Sequence, residues 1–325
     1  MIKAPQFWWK PLSFWGKCFS WVGWVYGQVV SLRLYFIKPT KVSVPVICVG
    51  NLSLGGTGKT PVVLFLANHF LSKKKKVGIL TRGYGGCLIG PVKVMKSQHT
   101  AQEVGDEPLL LAAVAPTWVS RDRVAGARAM MKEGIELILL DDGYQNPFLY
   151  KDINIVVVDG LQGFGNKEVF PCGPLRESLN RGLKRADAVV VVRPPSQTLK
   201  QDLKFYKKDL LEADIEIDTK AIPRKKVVAF CGIGNPSKFF ASLDKEEACV
   251  AAKKSFPDHH AYSSSDLKDL KKMAHQHKAV LVTTEKDWVR LDKKDQKDIL
   301  AVPLILKWKD WAIMEKVLKR KISKS

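Results

Sequence analysis

The segment SLGGTGKT, Ser53 to Thr60, leaves this chain the least freedom in how it can fold. It matches the phosphate-loop pattern G-x-x-x-x-G-K-S/T, with Ser53 standing where the first glycine usually is. The apolar run VPVICVGN before it has the length and β-branching of a buried strand. PVVLFLANHFL after it reads as a helix with Pro61 near its first turn, where a missing N–H costs little. A strand, a glycine turn and a helix in that order predict a parallel α/β core. Gly55, Gly56 and Gly58 let successive N–H groups turn inward on phosphate oxygens, with Ser53, Leu54 and Thr57 completing the loop. Lys59 then reaches the β- and γ-phosphates, and Thr60 is placed to ligate Mg²⁺.

Such a loop needs an acid at the end of another strand to hold the metal. IELILLDDGYQ supplies Asp141 and Asp142 after an apolar run. Asp141 is the expected metal ligand and Asp142 the member of the catalytic shell, although two acids after a strand also suit a helix N-cap. Between these motifs EVGDEP places Asp106 on a loop. It is a candidate general base toward a hydroxyl; an ordinary solvated acid is the alternative.

Charge is unevenly distributed. Of the net +21, the first 102 residues contribute 14 Lys and Arg and no acid. Such a field suits an anionic partner, whether nucleic acid, acidic lipid or a phosphorylated substrate. The N-terminus, FWWKPLSFWGKCFSWVGWVYGQVVSLRLYFIK, holds five of the nine Trp. Its longest uncharged run, between Lys17 and Arg33, is shorter than the ~20 residues a spanning helix needs. Ser13, Gly16, Ser20, Gly23, Gly27 and Ser31 recur at helical spacing and leave a broad aromatic and aliphatic face. This predicts an interfacial helix, with Lys10, Lys17, Arg33, Lys38 and Lys41 meeting anionic lipid; a helix packed on its own domain is the alternative. Cys18, Cys48, Cys87, Cys172, Cys231 and Cys249 are scattered without metal spacing and read as reduced core thiols in a cytosolic compartment.

From about residue 221 a second α/β pattern begins: RKKVVAFCGIG, ACVAAKKSF and AVLVTTE read as strands, with DLKDLKKMAHQH as a helix between the last two. The expected architecture is a P-loop α/β/α sandwich with a second, smaller α/β domain and an N-terminal membrane-associating helix. The expected bounds are 1–38 for the helix, 39–220 for the P-loop core and 221–325 for the smaller unit.

Taken in order, VGNLSLGGTGKTP, LTRGYGG, VGDEP, DDGYQ, DGLQGFGN, PCGPLRES, GIGNPSKFF, FPDHHAY and TTEKD resemble the tetraacyldisaccharide 4'-kinase family across residues 49–287. The aromatic N-terminus is similar to that family's membrane-associating region. The resemblance implies transfer of the ATP γ-phosphate, with Mg²⁺, to the 4'-hydroxyl of an acylated glucosamine disaccharide 1-phosphate. It implies a monomer on the inner-membrane lipid surface, peripheral or monotopic on its cytoplasmic face, with no nucleic acid partner. Carried over by motif, the catalytic carboxylate falls on Asp106 and its His partner on His259, with Lys59, Asp142 and Arg176 in the catalytic group. Asn51, Arg82, Tyr84 and Asp258 fall among the substrate contacts, and Glu177 in the Mg²⁺ shell beside Thr60 and Asp141. Two positions depart from the family pattern: Asn146 stands where His is usual, and Lys167 where Gly is common. The rival class is a basic P-loop ATPase acting on nucleic acid or a GTP-dependent switch. TTEKD has Glu285 interposed in the guanine-reading pattern, which speaks against the latter.

Overall fold

In a computed structural model, residues 5–10, 20–222, 225–245 and 248–322 are described, and the chain forms two sheets. The larger sheet contains β1 (Val46–Gly50), β2 (Val77–Thr81), β3 (Val92–Lys93), β4 (Thr117–Val119), β5 (Leu137–Asp141), β6 (Ile153–Asp159), β7 (Ala188–Val192) and β8 (Leu210–Ile217). The smaller has β9 (Val227–Cys231), β10 (Val250–Ser255), β11 (Val280–Thr284) and β12 (Ile299–Val302). A final strand, β13 (Leu304–Trp308), returns to the larger sheet, whose order is β13-β8-β7-β6-β1-β5-β2-β4-β3.

β1 lies in the middle, parallel to β5 on one side and β6 on the other, and all five of its residues are buried. A central parallel strand is covered on both faces, so its sequence is apolar throughout rather than alternating. Ile47 and Val49 pack toward the helix Lys59–Ser72, beside the C-terminal helix Trp311–Ile322. Val46 and Cys48 pack toward the face covered by Arg123–Lys132, Leu179–Arg185 and Gln197–Phe205. Helices on both faces give the sandwich. The smaller sheet repeats the scheme: Phe239 and Leu243 cover one face, and Leu267, Leu270 and Ala274 the other.

The expected 221–325 unit is corrected at its end. β12 and β13 are separated by Pro303 alone, yet β12 pairs with β11 in the smaller sheet and β13 runs antiparallel to β8 in the larger. The helix Trp311–Ile322 follows β13 onto the larger core through Met314 and Leu318. The core-thiol expectation holds for Cys48, Cys172 and Cys231, whereas Cys87 and Cys249 are exposed and Cys18 lies outside the described residues.

Near the N-terminus a helix runs from Ser20 to Phe36. Gly23 and Gly27 are its buried residues: a Cβ on Gly23 would stand 2.6 Å from the Val169 carbonyl oxygen, so only glycine permits this approach. The small-residue stripe therefore seats the helix on the protein, and Ser13 and Gly16 lie outside the described residues. The opposite face exposes Trp21, Trp24, Val25, Val29, Leu32, Tyr35 and Phe36, while Tyr26, also exposed, lies beside Phe170. Among the described residues no helix is long and apolar enough to cross a membrane.

Candidate active site

The glycine loop leaves the C-terminal end of β1 and enters the helix Lys59–Ser72 through Gly58, whose φ of 87° is a left-handed conformation glycine adopts without cost. A Cβ on Gly55 or Gly56 would meet nothing within 4 Å, so these two residues border open space while their neighbours are packed. Asn51 is wholly buried, and its amide nitrogen donates to the Ser53 carbonyl at 2.7 Å and to the Gly55 carbonyl at 3.4 Å. Expected as a substrate contact, it braces the loop through these bonds. Ser53 and Leu54 are tied to the 174–176 segment: Leu54 N–H donates to the Pro174 carbonyl at 2.7 Å, and Arg176 N–H to that of Leu52 at 2.7 Å. This crossing carries the Arg176 side chain to the loop.

β5 delivers the acid pair. Asp141 lies in register with Val49, and the Asp142 N–H donates to the Val49 carbonyl at 2.9 Å. The two carboxyls meet opposite surroundings. Burial, reinforced by Glu107 and Asp142, pushes Asp141 up to about 7 against the opposing pull of Lys59 and Thr81. One Asp141 oxygen accepts from the Thr81 hydroxyl at 3.3 Å, and the other is buried without a hydrogen-bond partner. Burial also opposes ionisation of Asp142, but Lys59 at 3.5 Å and Arg176 at 3.2 Å outweigh it and hold its carboxyl below the usual range. An acid short of positive charge beside one fully compensated is the arrangement in which a cation at Asp141 would be stabilising.

Glu177, expected in the metal shell, turns elsewhere. Both its oxygens receive the guanidinium of Arg185, at 2.7 and 2.8 Å, and Oε1 also accepts from Gln145 at 3.1 Å. It acts on the loop indirectly, since Gln145 also donates to the Asn51 carbonyl at 2.9 Å. Among the described residues no group of three or more His, Cys, Asp or Glu could hold a metal ion. Mg²⁺ in phosphoryl-transfer sites is held by one or two protein groups plus phosphate and water, so such an ion does not require a larger cluster of protein ligands.

Asp106 opens the helix Asp106–Leu111 and is only 5% exposed, which removes the solvated-acid alternative. Its Oδ2 lies 3.1 Å from His259 Nδ1, so the structure brings together the two residues the motifs pair. Asp258 stands on the far side of the imidazole, 3.9 Å from Nε2, while the adjacent His260 turns to Asp266 at 3.1 Å. A cavity of about 630 Å³ opens between the sheets, with Asp106, His259, Tyr84, Lys96 and Trp288 among its walls. Tyr84 and Arg82 are exposed at the end of β2.

Several side chains escaped the motif reading. Arg290 donates to Asp106 through Nε, at 3.2 Å, and through Nη2. Lys286 meets Glu107 at 2.6 Å. Arg123 is buried within electrostatic reach of Asp142 and Asp141, with Nη1 donating to the Ser120 carbonyl. A helical turn after TTEKD places Lys286 and Arg290 one turn apart on one face, and that spacing is the signal that could have drawn attention to them. Of the two departures, Asn146 caps its own turn by accepting from the N–H groups of Phe148 and Leu149. Lys167 sits at φ 64°, a left-handed position suited to the glycine usual there, and ion-pairs with Asp202.

The family description tetraacyldisaccharide-1-P 4'-kinase matches residues 16–323. The tetraacyldisaccharide 4'-kinase of Jannaschia sp. (strain CCS1) is 41% identical over 329 residues, covering 98% of this chain and 100% of its own. That of Paramagnetospirillum magneticum is 43% identical over 309 residues, covering 94% and 95% respectively. The crystal structure of the "apo" form LpxK from Aquifex aeolicus in complex with ATP superposes with a TM-score of 0.77 at 29% identity, covering 95% of this chain and 100% of that one.

Proposed function

The chain belongs to the tetraacyldisaccharide-1-P 4'-kinase family and is an ATP-dependent kinase of lipid A biosynthesis, in which we propose that Asp106 is the general base, partnered by His259. The 3.1 Å contact between these residues, at the wall of the inter-sheet cavity, carries this reading. The 4'-hydroxyl oxygen attacks the γ-phosphorus, the bond to the departing ADP oxygen breaks, and the hydroxyl proton passes to Asp106.

The loop fits the nucleotide on its own evidence. The open space over Gly55 and Gly56 admits phosphate oxygens, and Lys59 and Arg176 supply positive charge beside it. Arg176 suits the charge spread over the transferring group, since a planar guanidinium matches a delocalised anion. Thr60 and Asp141 would hold Mg²⁺, for which the unpartnered oxygen of Asp141 is a fit. When bound, the ion neutralises phosphate charge as it develops. Asp142 keeps Lys59 and Arg176 in place until the nucleotide arrives. Arg82, Tyr84 and Asp258 are assigned to the acceptor, and closure of the smaller unit over the larger would exclude water.

The exposed aromatic face of Ser20–Phe36, bordered by Arg33 and Lys38, supports docking on an anionic lipid surface, where Trp and Tyr favour the headgroup level. The enzyme then works as a peripheral monomer on the cytoplasmic face of the inner membrane. The test is transfer of labelled γ-phosphate from ATP to solubilised tetraacyldisaccharide 1-phosphate. Product from the wild type and about 10²–10⁴-fold slower formation by Asp106→Asn, with nucleotide binding retained, is the expected result. Full turnover by Asp106→Asn would remove the base assignment.

A further inference from the structure

Asp106 has a second partner of a different kind from His259. A buried carboxylate is costly to keep ionised, and His259, with 39% of its side chain exposed, is charged only when protonated. Arg290 is charged at every relevant pH, and its side chain is 7% exposed. Its Nε and Nη2 both donate to Oδ2 of Asp106, the oxygen that also faces His259. The guanidinium is fixed from behind: Nη1 donates to the Gly232 carbonyl at 2.8 Å and to Asp287 Oδ1 at 2.9 Å.

Asp287 is wholly buried and is itself held by donors from Gly232 N–H at 2.9 Å, the Tyr262 hydroxyl at 2.8 Å and the Thr284 hydroxyl at 2.6 Å. The Gly232 carbonyl also accepts from the His259 N–H at 3.1 Å. One carbonyl at the end of β9 thus sets both partners of Asp106 relative to each other.

Resting on the reading of Asp106 as the base, we infer that Arg290, anchored by Asp287, is the positioning residue that fastens Oδ2 and leaves Oδ1 to receive the acceptor's proton. Oδ2 has no further capacity, because three donors already converge on it. Among the described residues Oδ1 accepts only from the N–H of Glu107, at 3.0 Å, and keeps a lone pair. The groups facing Asp106 are His259 and Arg290 from the smaller unit, with Lys286 beyond them, and Glu107 on its own helix. Burial alone would raise the carboxyl's pKa, and the His259 and Arg290 hydrogen bonds reverse that. Removing the guanidinium therefore leaves the base both loose and harder to ionise.

The experiment compares wild type, Arg290→Gln, Arg290→Lys and Asp106→Asn in steady-state transfer across pH, with ATP affinity measured alongside. Arg290→Gln is expected to lower kcat about 10²-fold, as displacement of a reacting group does, and Arg290→Lys to recover about tenfold of that. The acid limb of the Arg290→Gln profile should move to higher pH while the KM for ATP stays unchanged. A wild-type kcat and acid limb in Arg290→Gln would overturn the inference. So would a lower kcat with an unmoved acid limb and no recovery by lysine, which marks a merely structural arginine. If Asp106→Asn turns over normally, the base assignment falls and this inference with it. If Asp106→Asn is slowed and Arg290→Gln is normal, the inference alone falls.

Discussion

Lys59 and Asp142 face each other across 3.5 Å at the head of the nucleotide helix, and Arg176 reaches the same carboxylate at 3.2 Å. The acid thus pairs with both cations that the proposed function assigns to the phosphates. Lys59→Ala should therefore reduce transfer on the order of 10²–10³-fold, the usual loss when one charge-stabilising donor is removed. Asp142→Asn should release the two cations and tighten ATP binding while lowering kcat. Equilibrium nucleotide binding beside single-turnover transfer separates the two effects.

Asp106→Asn keeps the shape of the side chain and removes its basicity. Base catalysis contributes about 10²–10⁴-fold, so kcat should fall within that range with ATP affinity unchanged. His259→Gln retains a hydrogen-bonding group and should cost less, because Arg290 still holds Oδ2. A rapid-quench measurement of phosphoryl transfer, rather than overall turnover, tests both.

The phosphate loop and the acid pair after β5 were legible because each is a local pattern joined to chain order, whereas the Asp106–His259 pairing was legible only through the family resemblance. The clasp around Arg290 was not, since Arg290 lies 184 residues from Asp106 and its one-turn spacing from Lys286 does not by itself name a partner. Glu177 shows the same limit. Its motif placed it near the loop, but only packing showed that Arg185, at the end of the next helix, takes both its oxygens. β13 was missed because Pro303 looks like an interruption within one unit rather than a change of sheet.

The Asp106–His259 contact also makes stability depend on pH. The hydrogen bond to Asp106 raises the His259 pKa, so that contribution is complete below about 6.5, the unfolded value, and fades as pH rises through the folded one. The Asp106 pKa is lowered despite burial, so its contribution is present above about 3.9 and is lost on acidification below it. The Tm difference between wild type and His259→Gln should therefore be largest between these limits and shrink toward alkaline pH. Thermal melts at intervals of pH across that range check the direction; a difference that grows with pH would contradict it.

Gly23 and Gly27 invite the same substitution with opposite results. Alanine is favoured over glycine inside a helix by about 0.8–1 kcal/mol, so in a free helix both changes would stabilise. At Gly27 the nearest atom to a new Cβ is a Val169 methyl at 3.5 Å, an ordinary contact, and the gain should appear almost in full. At Gly23 the Cβ would fall 2.6 Å from the Val169 carbonyl oxygen, a backbone atom that cannot rotate away, so the helix must lift off the Val169–Cys172 segment. Hydrogen exchange along Ser20–Phe36 should slow in Gly27→Ala and quicken in Gly23→Ala. The outer aromatic face is untouched by either change, so binding to anionic vesicles should persist in Gly27→Ala. Its loss in Gly23→Ala would show that lipid contact needs the helix held in its seat, and not merely an exposed set of tryptophans.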